Sequence, residues 1–488
     1  MKRRTFCKSA VAAGIAATLP ACGGSTNDSA SIDAISTAGA EISLEGAAVD
    51  ELAASLSGQL YRQSDVGYDT ARILWNGMFD HKRPAMIAQC QSVDDVRNSV
   101  MFAAERGLLV SVKGGGHSLP GKSTSDGGMM IDMSQMHSAS IDPDARTAHI
   151  GGGALLGHLD NAATEHDMIT TTGIVSHTGV GGFTLGGGLG RVDRMFGLAI
   201  DNLLEATVVT ASGDVVVASE EENADLFWGL RGGGGNFGVV TEFVYRLHPF
   251  NPMVYGGTLI FERSRELLDY YAEYCLTAPD EANVEPNFIS SPDGTPIALI
   301  EFVYGGDHAK GAEVFAPWLE LPGRLSGDFG PFPYREIQTG LDGIAHHGLQ
   351  YYLKSGFVVT MTPELIEIMS ERLLSPGAPD VWFQHVGGAI ARVAPDATAY
   401  LHRDAAFNLG VMYTGDDPAN NEAGIANVRE FFYDVAPHLK GFYTNLNDED
   451  EGKTWGNYGS NYPRLAELKA KYDPENLFRL NANINPAT

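Results

Sequence analysis

Between Gly114 and Gly238 the chain carries three dense glycine runs: GGG at 114–116, GVGGFTLGGGLG at 179–190 and GGGGNFG at 232–238. Glycine inside a helix or strand costs roughly 0.5–1 kcal/mol relative to alanine. Runs of this density therefore mark turns, or places where bare backbone must approach a ligand. The first run opens Gly116-His-Ser-Leu-Pro-Gly121-Lys122-Ser123, which satisfies the spacing of a nucleoside-triphosphate loop. Such a loop needs a strand before it and a helix directly after Lys-Ser. The strand is present in "LLVSV", but Lys122-Ser123 runs into the polar turn "TSDGG" and then "MMIDM". Pro120 also removes an N–H where the loop needs donors. "MMID" follows too closely to be a separate core strand carrying a metal-binding aspartate. The triphosphatase reading fails its context.

Composition narrows the rest. The 488 residues suffice for two or three domains. A formal charge of −28 repels phosphate backbones, so no nucleic-acid partner is expected. Of four cysteines, Cys7 and Cys22 fall in the first segment. Cys90 and Cys275 are too few for a metal cluster or a disulfide framework, and no metal is expected. Residues 1–22, "MKRRTFCKSAVAAGIAATLPAC", pair Arg3-Arg4 with a short apolar run, as in a twin-arginine export signal. "LPAC" resembles a lipoprotein cleavage box ending at Cys22. The expectation is an exported protein, periplasmic or at the cell surface, whose one route to the membrane is a lipid on Cys22. Residues 23–70 are read as a tether and N-terminal segment, small and polar at their start.

From 80 to 250, short apolar runs alternate with glycines. "VDDVRNSVMFAAERG" has helical spacing and a glycine stop. "GMMIDM", "TAHIGGG", "LEATVV" and "GVVTEFVYRL" read as strands, and "TASGD" as a hairpin turn. Residues 251–440 hold helical patterns ("RELLDYYAEYCL", "PELIEIMSERLL") and strand-like runs ("PIALIEFVYGG", "FNLGVMYTG"). Strands and helices without regular βαβ repetition indicate an α+β fold. Residues 251–440 form the expected substrate domain, and 441–488 a closing segment.

"VKGGGHSLPG" resembles the flavin-attachment loop of berberine-bridge-type FAD-linked oxidases in the vanillyl-alcohol oxidase superfamily. "GIVSHTGVGGFTLGGGLGRVDRMFGLAIDNLLEATVVTASGDVV", "NADLFWGLRGGGGNFGVVTEFVYRL" and the C-terminal "YGSNYPRLAELKAKYDPENLFRLNANINP" resemble that family's further signatures, in order, over roughly residues 70–488. The resemblance implies a two-part PCMH-type FAD-binding domain, an antiparallel-sheet substrate domain, and a C-terminal segment returning to the flavin. It implies FAD bonded covalently to His117, with Lys113, Gly114, Gly115, Gly116, Ser118 and Gly121 around the attachment loop. Thr178, Gly179, Gly181 and Gly182 would meet the pyrophosphate and ring edge. Asn236, Gly238 and Val240 would meet adenine and ribose, and Asn481 and Asn483 would lie near the ring.

Four positions depart from the family. Val175 stands where doubly attached members carry cysteine, so the His117 bond is the one covalent link left. Phe183 replaces a histidine common in plant members, and Lys113 replaces an arginine. The implied reaction is oxidation of a small alcohol, sugar, amine or aromatic metabolite, with dioxygen as acceptor and a side chain taking the proton. "YTNL" puts Leu446 where many members hold the catalytic tyrosine. Tyr443 and Tyr352 are then the candidate catalytic residues, with Tyr351, Tyr400 and His385 behind them. "NDEDE" (Asn447–Glu451) reads as a solvated loop. The substrate pocket is expected to draw on "GLQYYLKS", "FQHVGGA" and "TAYLHR". The alternative is a binding or resistance protein on the same scaffold, since fold does not settle function.

Overall fold

A computed structural model describes residues 30–291, 293–447 and 454–487. The export signal and lipidation site expected at residues 1–22 lie outside the described residues. The chain forms three main sheets. In the first, the order is Gln59–Arg62, Met86–Gln89, Met129–Asp132, Val110–Lys113, and the last three run parallel. Helix Val93–Glu105 crosses from the second strand to Val110–Lys113, started by Ser92, whose hydroxyl accepts from the Asp95 N–H at 3.2 Å.

Two expectations are corrected here. Met129–Asp132 is a core strand, fully buried in the middle of this sheet. It follows Val110–Lys113 so closely because the intervening loop, containing GGGH, is itself the crossover that parallel neighbours require. No helix follows Ser123, as the sequence indicated. Nor is the polar stretch after Cys22 a tether throughout. Ile32–Ile35 and Glu41–Leu44 pair as a hairpin, burying Ala34 and Leu44 against the first sheet's core. Their alternating apolar residues give the hairpin a buried face that its polar composition conceals.

The second sheet is antiparallel, in the order Val215–Ser219, Leu203–Val209, Val239–Arg246, Thr147–Gly151, Ala139–Asp142. "TASGD" turns its first hairpin, as expected. The third sheet has seven antiparallel strands, ordered Arg324–Pro333, Met253–Glu262, Pro296–Tyr304, Ala282–Ser290, Asp380–His385, Phe407–Gly415, Gln350–Val358. Helices Arg265–Cys275, His308–Leu319, Pro363–Leu373 and Asn421–Val435 pack on one face through Leu268, Trp318, Met369 and Phe431. Each such side chain contributes roughly 1.5–3 kcal/mol by leaving water. The other face of the sheet is left for a cavity. Cys90 and Cys275 are both free thiols.

Candidate active site

A cavity of about 500 Å³ lies between the glycine runs and the open face of the seven-stranded sheet. Its first wall is backbone. Gly114, Gly115, Gly116, His117 and Ser118 line it, beside Thr178, Gly179, Gly181 and Gly182 from the second run. The two runs touch. A Cβ on Gly115 would sit 2.4 Å from the Gly179 nitrogen, and one on Gly179 would sit 2.2 Å from the Gly115 nitrogen. No side chain fits at that crossing. Among the described residues, the N–H groups of Gly115, Gly116, His117 and Ser118 have no acceptor. Successive unpaired N–H groups of this kind form a nest for an anion.

Two predicted residues of this loop stay out of the cavity. Lys113 Nζ donates to the Ala71 carbonyl at 2.7 Å and lies 3.8 Å from Asp132, turned away from the lining. Strand alternation sends its side chain to the far face. Gly121 serves the turn: its φ is +66°, and a Cβ there would strike the Phe79 ring at 2.3 Å.

His117 lines the cavity and is held from three sides. Its ring stacks on Trp75 at 4.3 Å between centroids, and Trp75 stacks on Tyr351 at 3.8 Å. Nε2 is 2.6 Å from Nδ1 of His177, and Nδ1 is 3.5 Å from the Thr178 hydroxyl. Burial, with His177 and then His347 nearby, pushes the ring well below the usual histidine pKa and keeps it neutral. Neither Trp75 nor His177 was singled out from the sequence. His177 stands inside the quoted second stretch, but nothing in the letters shows that it meets a residue 60 positions earlier.

The third run meets the C-terminal segment. Asn236, Gly238, Val240 and Asn481 line the cavity. Asn236 Nδ2 donates to the Ala482 carbonyl at 3.1 Å, and its Oδ1 accepts from the Ile484 N–H. Asn481 Nδ2 donates to the Gly235 carbonyl at 2.9 Å. Buried Lys469 donates to the Asn236 carbonyl at 2.7 Å and to Asp473 at 2.6 Å. Asn483 is not part of the lining and donates instead to Asn485.

The second wall is side chain. Tyr351 and Leu353, Trp382 and Gln384, and Met412 and Thr414 project from adjacent strands, with Asn287, Ile289 and Leu299 beyond them. Tyr352 is on the opposite face. Its hydroxyl accepts from Arg429 Nε at 3.0 Å within the helix-covered core, so it cannot act on a ligand in the cavity. The side-chain period of two separates the neighbours. Tyr443 does line the cavity, yet its oxygen accepts from the Gly188 N–H at 3.0 Å, the Leu189 N–H at 3.4 Å and Asn445 Nδ2 at 3.0 Å. Burial pushes its hydroxyl up to about 12 against those three bonds. With its lone pairs engaged it holds the glycine loop and has no place for a substrate proton.

Of the remaining candidates, Tyr400 packs behind Gly187 and Gly232, and His385 is buried in the sheet's core, both outside the lining. "TAYLHR" contributes nothing to the cavity, and "FQHVGGA" contributes Gln384. Leu446 and Phe183 line it. Asn447 is no solvated loop residue: its amide pairs with both backbone groups of Ser355, at 2.7 and 3.0 Å. The acidic residues after it lie outside the described residues. Among the described residues Asp380 is the one carboxyl of the lining; burial pushes it up to about 6, with Arg263 opposing.

Comparison with known proteins agrees with this layout. Residues 84–219 match the FAD binding domain model, and residues 442–485 match the berberine and berberine-like model. The (R)-6-hydroxynicotine oxidase of Paenarthrobacter nicotinovorans is 30% identical over 462 residues, covering 88% of this chain and 97% of its own. The crystal structure of 6-hydroxy-D-nicotine oxidase from Arthrobacter nicotinovorans superposes with a TM-score of 0.81 at 29% identity, covering 89% of this chain and 99% of that one. A chitooligosaccharide oxidase gives 0.79 at 26%, covering 90% and 100%. The chain belongs to the berberine-bridge-like family of FAD-linked oxidoreductases. It is an enzyme, and FAD is its cofactor.

The residues present suit FAD. The nest at 115–118 can take a pyrophosphate without a lysine, and the glycine crossing gives a flat ligand close backbone contact. In this oxidoreductase the two walls are joined by a buried seam. Arg191, just past the second run, donates to both oxygens of Glu301 at 3.0 and 3.1 Å and to Gln338 Oε1 at 3.0 Å. Arg194 donates to the carbonyls of Ala282 and Val386 at 3.0 and 2.6 Å. Glu285 is paired across strands with Glu301, so a second carboxyl feels the charge of the same guanidinium. Burial pushes Glu285 up to about 7, Arg191 pulling the other way.

Proposed function

We propose that the chain carries FAD bonded through His117 alone and oxidises a neutral hydroxylated or aromatic small molecule, with dioxygen as electron acceptor. The observation that carries this reading is His117, neutral and on the cavity wall between the glycine cradle and the aromatic sheet face. Val175, also on the wall, supplies no second attachment. FAD supplies the two-electron chemistry when bound. The protein's own part is to bind and orient. Trp75, Tyr351, Trp382 and Met412 offer flat apolar surface, while Asn287, Gln384 and Thr414 offer hydrogen bonds to hydroxyls. Asp380, charged above pH 6, disfavours polyanions.

Acid-precipitated protein is expected to stay yellow, with a tryptic flavopeptide that contains His117. Colour released wholly to the supernatant would rule out the bond. In anaerobic screening, neutral alcohols or phenols should bleach the flavin; reduction by polyanions alone would reject the substrate class. We further propose export by the twin-arginine route, with Cys22 as lipid anchor, supported by Arg3-Arg4 and by a cofactor that is made in the cytoplasm. Arg3→Lys with Arg4→Lys should strand flavinylated protein inside the cell, and undiminished export would refute this.

A further inference from the structure

We propose that His177 is a positioning residue for flavin attachment: by accepting the proton-bearing Nε2 of His117, it leaves Nδ1 bare to form the bond. This rests on the reading that His117 carries the flavin. Either ring can supply the proton of this contact; we assign it to His117 Nε2, with His177 Nδ1 accepting. A neutral imidazole keeps one N–H, and the nitrogen carrying it is set by the partner of the other. His117 Nε2 lies 2.6 Å from His177 Nδ1, a full hydrogen bond. Nδ1 faces Thr178 of the cavity wall, whose hydroxyl at 3.5 Å can donate but holds it loosely. His177 is not part of the lining, so it reaches the cofactor through His117 alone. Trp75, stacked on the ring, fixes the plane in which the two nitrogens point.

Attachment forms one bond, from Nδ1 to the flavin 8α-carbon. One C–H and the N–H of His117 are broken, two electrons pass to the ring system, and dioxygen removes them as hydrogen peroxide. The ring must present a bare nitrogen to the cavity for that bond to form. A His117 tautomer with its proton on Nδ1 would be inert, and a His177 whose Nδ1 is bare selects against it.

The test compares His177→Asn, whose Oδ1 replaces Nδ1 as acceptor, with His177→Leu, of similar size and no acceptor. Each full-length protein is incubated with FAD in air, and flavin surviving acid precipitation is followed over time against total bound flavin. His177→Asn should attach flavin close to the wild-type rate. His177→Leu should bind FAD but attach it about 10²-fold more slowly, the low end of what a positioned proton-handling group contributes. Equal rates in the two variants, whether fast or slow, would overturn the proposal, since packing rather than the acceptor would then matter. If wild type and His117→Ala alike hold no acid-stable flavin, the attachment reading itself fails and takes this inference with it.

Discussion

The two walls of the cavity are made of different material. One is backbone, where Gly115 and Gly179 cross with no room for a side chain on either. The other is a sheet face whose cavity-facing side chains can each be exchanged without moving the strand beneath. A wall of the first kind fixes one ligand and tolerates no change, whereas the second kind can be refitted. On the proposed reading the cofactor lies on the glycine side and substrate choice on the sheet side.

The sharpest way to break that contrast is one methyl group. Gly115→Ala puts a Cβ into the Gly179 backbone, which cannot swing aside, and should cost more than the ~1–3 kcal/mol of ordinary overpacking. Bound flavin, read from the visible spectrum, should fall by about tenfold or more. Met412→Ala on the facing wall should keep its flavin and change which substrates bleach it. If both variants kept flavin equally, the division of labour would be wrong.

The seam between the walls gives the next effect. Because Glu285 titrates near 7 in the folded chain, above its ordinary value of 4.5, its stabilising neutral form is present at low pH and lost as pH rises through about 7. Glu285→Gln never ionises. Its stability advantage in denaturant melts should therefore grow from pH 5 to pH 8, toward about 3 kcal/mol. A constant difference across that range would show that Glu285 is not the titrating group.

Tyr443→Phe leaves the N–H groups of Gly188 and Leu189 and the Asn445 amide short of an acceptor. A buried donor without a partner costs about 1–3 kcal/mol. The melting temperature should drop, while the pH profile of turnover keeps its shape; loss of a basic limb would restore Tyr443 as a base. The smallest effect is expected on the far face of the sheet. Tyr352→Phe should lose about 1 kcal/mol with the Arg429 bond and leave turnover unchanged. Tyr351→Phe, on the cavity face, should move KM.

What the letters revealed follows the same division. The backbone wall was legible because glycine density and order are themselves the feature, and Gly114, Gly115, Gly116, Gly179, Gly181 and Gly182 all line the cavity. Lys113 and Tyr352 were misplaced for one reason: each sits one residue from a cavity-facing neighbour, and a strand reverses faces at every step. His177 and Trp75 could not be found at all. Their role comes from tertiary proximity to His117, which no local pattern records. The hairpin near Ile32 was concealed by its polar composition, and the strand at Met129 by an atypical crossover.

The bond from Asn236 to Ala482 spans 246 residues of chain. At about 5–20 residues per second, a ribosome needs on the order of tens of seconds to pass from one to the other. Through that interval the first two glycine runs exist, but the segment from Lys469 to Ile484 that completes the third does not. The nascent polypeptide has a cradle without its last side until residues 469–484 have been made. The cradle can be closed only once that segment has been made, so a chain truncated before Lys469 is expected to retain no flavin.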